Sequence, residues 1–384
     1  MQKKKIKLDL LKGEIMTIQV CQPSLGPLEL ELLSNCIKTE WISADGPFVR
    51  QFEDEFSKYI GCEYGAAVNN GTSALSAAIF GINIQPGDEV ILPTFTIISC
   101  AIAIIKMGGV PVYVDIEPET WNINVNLIES KITNKTKAIM AVHMYGHPCD
   151  MDIIMGIARK HNLKVIEDAS QVHGAEYKNK KCGSLGDVST FSFYANKIIT
   201  TGEGGMVVTN DKGIAERAKS YRNLCFDKDR RFIHIELGDN LRMTNMQAAI
   251  GVAQMSRIEE FVNIKIKNGR KYSKLLSNTK EIKIQSEKKW AKMVYWMYCI
   301  QLSPNLNMTA EELRELLKKD GIETRPFFYG LHEQPALAKY NRNNECFPVA
   351  ENATKYGLYL PSGISLTDQN IKFIVENVKK YIEK

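Results

Sequence analysis

The chain has 384 residues, of which 44% are hydrophobic and 24% charged, with a formal net charge of +5. These values suit a globular protein with one large and one smaller domain, and so small a charge gives no reason to expect nucleic acid as a partner. Nine cysteines, an odd number, form no C-x-x-C pair, so neither a zinc ribbon nor a disulfide framework is expected, and free thiols point to a reducing, cytoplasmic setting.

At the N-terminus, lysines at positions 3, 4, 5, 7 and 12 precede no apolar run of signal-peptide length. The longest apolar stretch, Ile97 to Ile105, stops at Lys106, too short to cross a bilayer. Val49 to Ile60 is amphipathic at helical spacing, and Ala74 to Phe80 begins a second helix. Short β-rich runs follow at Glu89 to Pro93, Val110 to Asp115, Lys137 to His143 and Lys164 to Asp168, with a helix expected over Met151 to Asn162. Two more strands, Val188 to Phe193 and Gly205 to Thr209, bracket a loop that carries Lys197. Strands alternating with helices predict an α/β fold with a mainly parallel sheet covered on both faces. Helices from about Asn245 to Ser277 then lead into a smaller α+β region. The division is an arm over 1–25, a large domain over 26–255 and a small C-terminal domain over 256–384.

Ligands of such sheets sit beyond the carboxyl ends of the strands, commonly at helix N-termini. Asn69 to Leu75 leaves a strand and opens a helix. Its Gly71 permits a tight turn, while Thr72 and Ser73 offer hydroxyls and free N–H groups to a phosphate, although the same residues also make an ordinary helix cap. Asp168 ends a strand, with Gln171 and His173 after it. A carboxylate there suits a protonated ring nitrogen on an electron-sink cofactor, or else caps the next helix. Lys197 follows the strand that contains Ser192 and precedes Thr201-Gly-Glu-Gly-Gly205. A lysine among buried surroundings and nearby cations would have the low pKa a carbonyl-binding amine requires. His143, His147 and Cys149 superficially resemble a metal site, but Gly146 and Pro148 break the helix that would align the imidazoles, so no metal is expected.

These pieces, in this order, resemble the DegT/DnrJ group of nucleotide-sugar aminotransferases, whose fold is that of aspartate aminotransferase. The likeness runs from about Gln22 to the C-terminus and is carried by Trp41 to Ser43, His147 to Met151, Thr190 to Asp211 and Glu323 to Pro326. It implies a fold type I large domain and pyridoxal 5'-phosphate as cofactor, with the pyridoxamine form as intermediate. It implies that Lys197 holds the cofactor covalently and moves the proton, that Asp168 bonds the ring nitrogen, and that Gln171 lies near the phenolic oxygen. Gly71, Thr72 and Ser192 would cradle the phosphate, and Asn240 would reach it from the other subunit of a homodimer. Arg325 and His332 would handle sugar and diphosphate. The implied reaction takes an amino group from L-glutamate to C4 of a nucleotide-linked 4-keto-6-deoxyhexose, giving a 4-amino-4,6-dideoxyhexose of perosamine or viosamine type. Two rival readings are a dehydrating relative, in which a histidine would replace Lys197, and a non-catalytic binding protein, which would have no need of the cofactor set. One departure stands out: Ile97 occupies a position where the family carries an aromatic stacked on the ring. Either Ile97 packs there or Phe95 turns in. The first sixteen residues precede the usual family start, and Met16 is a candidate alternative initiator.

Overall fold

The computed structural model describes residues 17–230, 232–341 and 345–383; Met16 and most of the expected N-terminal arm lie outside them. Seven strands build the main sheet: β1 (Tyr64–Val68), β2 (Glu89–Pro93), β3 (Val110–Val114), β4 (Thr136–Val142), β5 (Lys164–Asp168), β6 (Val188–Ser192) and β7 (Gly205–Thr209). Their spatial order is β1-β7-β6-β5-β4-β2-β3. Every pairing from β3 across to β6 is parallel, and β7 alone runs against its neighbours. Alternate residues feed opposite cores. Val90, Leu92, Ala138 and Met140 pack on one face, and Ile91, Ile139 and Ala141 on the other. Covering both faces is why these strands read as continuous apolar runs.

The helices begin and end where local chemistry dictates. Pro47 opens the helix Pro47–Ile60, and Gly61, at φ +90°, closes it in a left-handed cap. Helix α1 (Gly71–Gly81) is capped by the Asn70 side chain, which accepts from the Ser73 N–H. Helix α2 (Ser99–Lys106) follows β2. Helix α3 (Ile258–Leu276) spans two cores: Ile258, Phe261 and Val262 belong to the large one, Tyr272 and Leu276 to the second.

That second core packs against a four-stranded antiparallel sheet of β8 (Ile282–Ile284), β9 (Tyr298–Leu302), β10 (Arg325–Pro326) and β11 (Gly357–Leu360), in the order β8-β9-β11-β10. The segment before the first helix returns to this unit, since Ile18 N donates to Gly321 O at 2.8 Å and Ser362 N to Val20 O at 2.7 Å. Among the described residues, no helix is long and apolar enough to cross a membrane.

Candidate active site

A cavity of about 620 Å³ opens at the carboxyl ends of β5 and β6, where Trp296, Phe328 and Tyr359 from the C-terminal part of the chain also line it. Its floor at one end is the start of α1. Gly71 is required there by close approach: a Cβ on it would lie 2.8 Å from Ser192 Cβ. Thr72 Oγ1 and Ser99 Oγ are 2.8 Å apart, so the first turns of α1 and α2 meet at the cavity. The first N–H groups of a helix have no intrahelical acceptor, and those of α1 belong to residues lining this cavity. The combination suits a phosphate.

Asp168, the last residue of β5, is almost fully buried. Its Oδ1 accepts from Ser170 N at 3.1 Å and its Oδ2 from Cys100 Sγ at 3.2 Å. Gln171 Oε1 accepts from Tyr145 N at 2.6 Å, pinning a backbone at φ +55°, a conformation bulky residues rarely hold unaided. That contact leaves the Gln171 amide NH₂ for a ligand.

Lys197 lies in the β6–β7 loop. Thr201 N and Thr200 Oγ1 donate to Phe193 O at 3.0 and 2.9 Å, and Gly202 turns at φ +83°. The Thr-Gly-Glu-Gly-Gly run is therefore the turn that presents the lysine. Burial pushes the Lys197 amine down to about 7, while Asp168 and Cys21 act in the opposite sense. Desolvation, one of the two causes expected from the sequence, is what lowers this pKa. Lys197 Nζ lies 3.7 Å from the centroid of the Trp296 ring.

The cavity brings together Gly71, Thr72, Ile97, Asp168, Gln171, Ser192 and Lys197. Phe95 is fully buried against Tyr145, Phe327 and Phe328, whereas Ile97 is 40% exposed on the cavity wall. Three expected residues lie elsewhere. Arg325 lines an adjoining cavity of about 240 Å³ that shares Tyr194, Asn196 and Tyr359 with the first. His332 faces a separate cavity, with Nδ1 2.7 Å from Thr94 Oγ1. Asn240 is exposed, outside the lining of its own chain's cavity. Trp296, Phe328 and Tyr359 line the cavity without having been foreseen; in the sequence they read as ordinary core aromatics of the smaller domain. The imidazoles near Cys149 are spent on protein contacts: His143 bonds Glu167 and the Cys149 N–H, and His147 accepts from Lys288 N at 3.1 Å.

The profile of the DegT/DnrJ/EryC1/StrS aminotransferase family matches residues 23–379. A GDP-perosamine synthase of Escherichia coli O157:H7 is 42% identical, over 95% of this chain and 98% of that protein. Another GDP-perosamine synthase, from Caulobacter vibrioides, is 40% identical over 94% and 98% respectively. Among solved structures, an aminotransferase from Psychrobacter cryohalolentis superposes with a TM-score of 0.89 at 30% identity, covering 94% of this chain and 99% of that one.

Proposed function

Because the chain belongs to the DegT/DnrJ/EryC1/StrS aminotransferase family, we propose that it moves the amino group of L-glutamate onto C4 of a nucleotide-linked 4-keto-6-deoxyhexose. The product is a 4-amino-4,6-dideoxyhexose nucleotide of perosamine type, and the names of the relatives support GDP as the nucleotide. The observation that carries the reading is Lys197 beside Asp168 in one cavity whose far end is a glycine-opened helix N-terminus.

The donor set fits pyridoxal 5'-phosphate, the family's cofactor: a hydroxyl and N–H cradle for phosphate, a carboxylate for the ring nitrogen and an amine of lowered pKa. When bound, that group supplies the electron sink that takes up an amino group and releases it to a second carbonyl. The protein's own residues do the rest. Asp168, oriented by Ser170 N and the Cys100 thiol, is the carboxylate that would face the ring nitrogen. Lys197, poised near neutrality, is able both to take up and to give back a proton at the substrate carbon. Gly71, Thr72 and Ser192 anchor the phosphate, and Ile97 offers an aliphatic face to the ring. A homodimer is part of the proposal. Ile233, Ile235 and Leu237 are exposed in the segment just before Asn240, an apolar patch that supports a second copy bringing Asn240 to the neighbouring phosphate site.

The test is a panel of GDP-, dTDP- and UDP-linked 4-keto-6-deoxyhexoses supplied with L-glutamate and cofactor. Release of 2-oxoglutarate in step with a 4-amino sugar, fastest with the GDP-linked substrate, is the expected result. No 2-oxoglutarate with any member of the panel overturns the reading.

A further inference from the structure

Trp296 is 3% exposed and sits just before β9, yet part of its surface lines the cavity. The indole is fixed from several sides. Its Nε1–H donates to Asn196 O at 2.9 Å, tying it to the residue before Lys197. Its own carbonyl accepts from Lys265 Nζ at 2.6 Å, and the same buried ammonium donates to Ser362 O at 2.5 Å. Tyr145 stacks near the ring, with centroids 6.4 Å apart and planes 13° apart. Over the face of this immobilised indole lies Lys197 Nζ, 3.7 Å from the centroid. An indole face attracts an ammonium, most strongly where water is excluded. A buried lysine held out of water pays a desolvation cost in its charged form, and an aromatic face offsets part of it.

We propose that the Trp296 face is the resting place of the Lys197 ammonium whenever that amine is not bonded to the cofactor, making Trp296 a positioning residue for the proton transfer. The inference rests on the reading of Lys197 as the cofactor-binding lysine. During each half-reaction the freed amine has to stay near the reacting carbon without drifting into solvent. The indole holds it there, supports its protonated form against desolvation and fixes the loop behind it through Asn196. The titratable groups facing this site are Asp168 at the end of β5, His173 beyond it, Tyr194 and Glu203 on the lysine's own loop, Lys106 at the end of α2, Cys21 on the N-terminal segment and Tyr359 on β11. None of them is altered chemically by a Trp296 substitution, and the Trp296→Leu and Trp296→Phe pair compares loss with weakening of the ring face.

The experiment measures the pH midpoint for acetylation of Lys197 by mass spectrometry of its peptide, using the full chain both free of cofactor and loaded with pyridoxamine phosphate. Trp296→Leu keeps the site apolar while deleting the π face, and lowers the midpoint by about one unit. Trp296→Phe keeps a weaker face and produces a smaller downward shift. Both variants lose kcat with little change in KM for either substrate. Trp296→Phe is the deciding variant if the leucine chain fails to fold. An unchanged or raised midpoint, or a loss confined to KM for the sugar, overturns the proposal and makes Trp296 a substrate wall. Borohydride reduction of the cofactor-loaded wild type separates the two readings. A pyridoxyl label on another lysine defeats the assignment of Lys197, whereas the acetylation midpoint needs no turnover and judges the indole contact by itself.

Discussion

Asp168 and Lys197 enter the same cavity from neighbouring strand ends, and their surroundings push them toward different tasks. The carboxylate accepts hydrogen bonds from Ser170 N and from Cys100 Sγ, which fix its orientation at the end of β5. The lysine loses solvation and is drawn down to about 7. Asp168→Asn keeps the shape of the side chain and removes the charge. The cofactor should still bind to that variant, seen as retained colour after dialysis, while turnover falls by about two orders of magnitude, in line with the loss of one preorganised electrostatic contact. Near-normal turnover would mean that Asp168 does no more than cap the turn after β5.

Between elements, the residue next to Asp168 has the opposite duty. Glu167 points to the other face of β5 and accepts from His143 Nε2 at 3.0 Å, from Gly183, Leu185 and Gly186 N–H groups at 2.7–2.8 Å, and from Ser189 Oγ at 3.1 Å. It thereby fixes the loop that sets β6 in register and delivers Ser192 to the cavity. Burial alone would raise its pKa, but the bond from His143 and the backbone donors outweigh this and hold it below the usual range. Glu167→Gln turns a donor toward donors in a dry site and should cost about 3 kcal/mol, read from the midpoint of denaturant unfolding. The sign with pH follows from the depressed value. The carboxylate's contribution is complete above the ordinary glutamate pKa and fades as pH falls through the folded-state one, so the gap between wild type and variant should narrow below about pH 4. A gap that stays constant across this range would show that the charge is irrelevant.

At the scale of the whole molecule, the proposed site is completed by a second chain. Asn240 lies outside the cavity of its own chain, while the Ile233 to Leu237 segment leading to it presents apolar side chains to solvent. A site finished by the partner links cofactor affinity to association. Mixing inactive Lys197→Ala chains with inactive Asn240→Ala chains should therefore restore activity. Random pairing leaves about half the dimers mixed, each with one site that holds both native residues. If subunits demonstrably exchange and activity does not return, each chain assembles its site alone.

The sequence by itself determined the parallel sheet, because β2, β4 and β5 are buried nearly throughout and their apolar runs, alternating with helices, are local facts. It also marked the turn at Gly71, the strand end at Asp168 and the loop of Lys197, since glycines and polar residues punctuate those runs where a ligand would sit. Tertiary structure alone decided what surrounds Lys197. Trp296 is about a hundred residues away along the chain and lies in a stretch, Met293 to Ile300, that reads as plain core. Only the return of β9 toward the β6–β7 loop puts its ring over the amine. The burial of Phe95 was likewise decided by packing, in an aromatic cluster with Tyr145, Phe327 and Phe328 that leaves Ile97 on the cavity wall. Local patterns record which face of an element is buried, but which distant side chain meets it depends on how the elements pack.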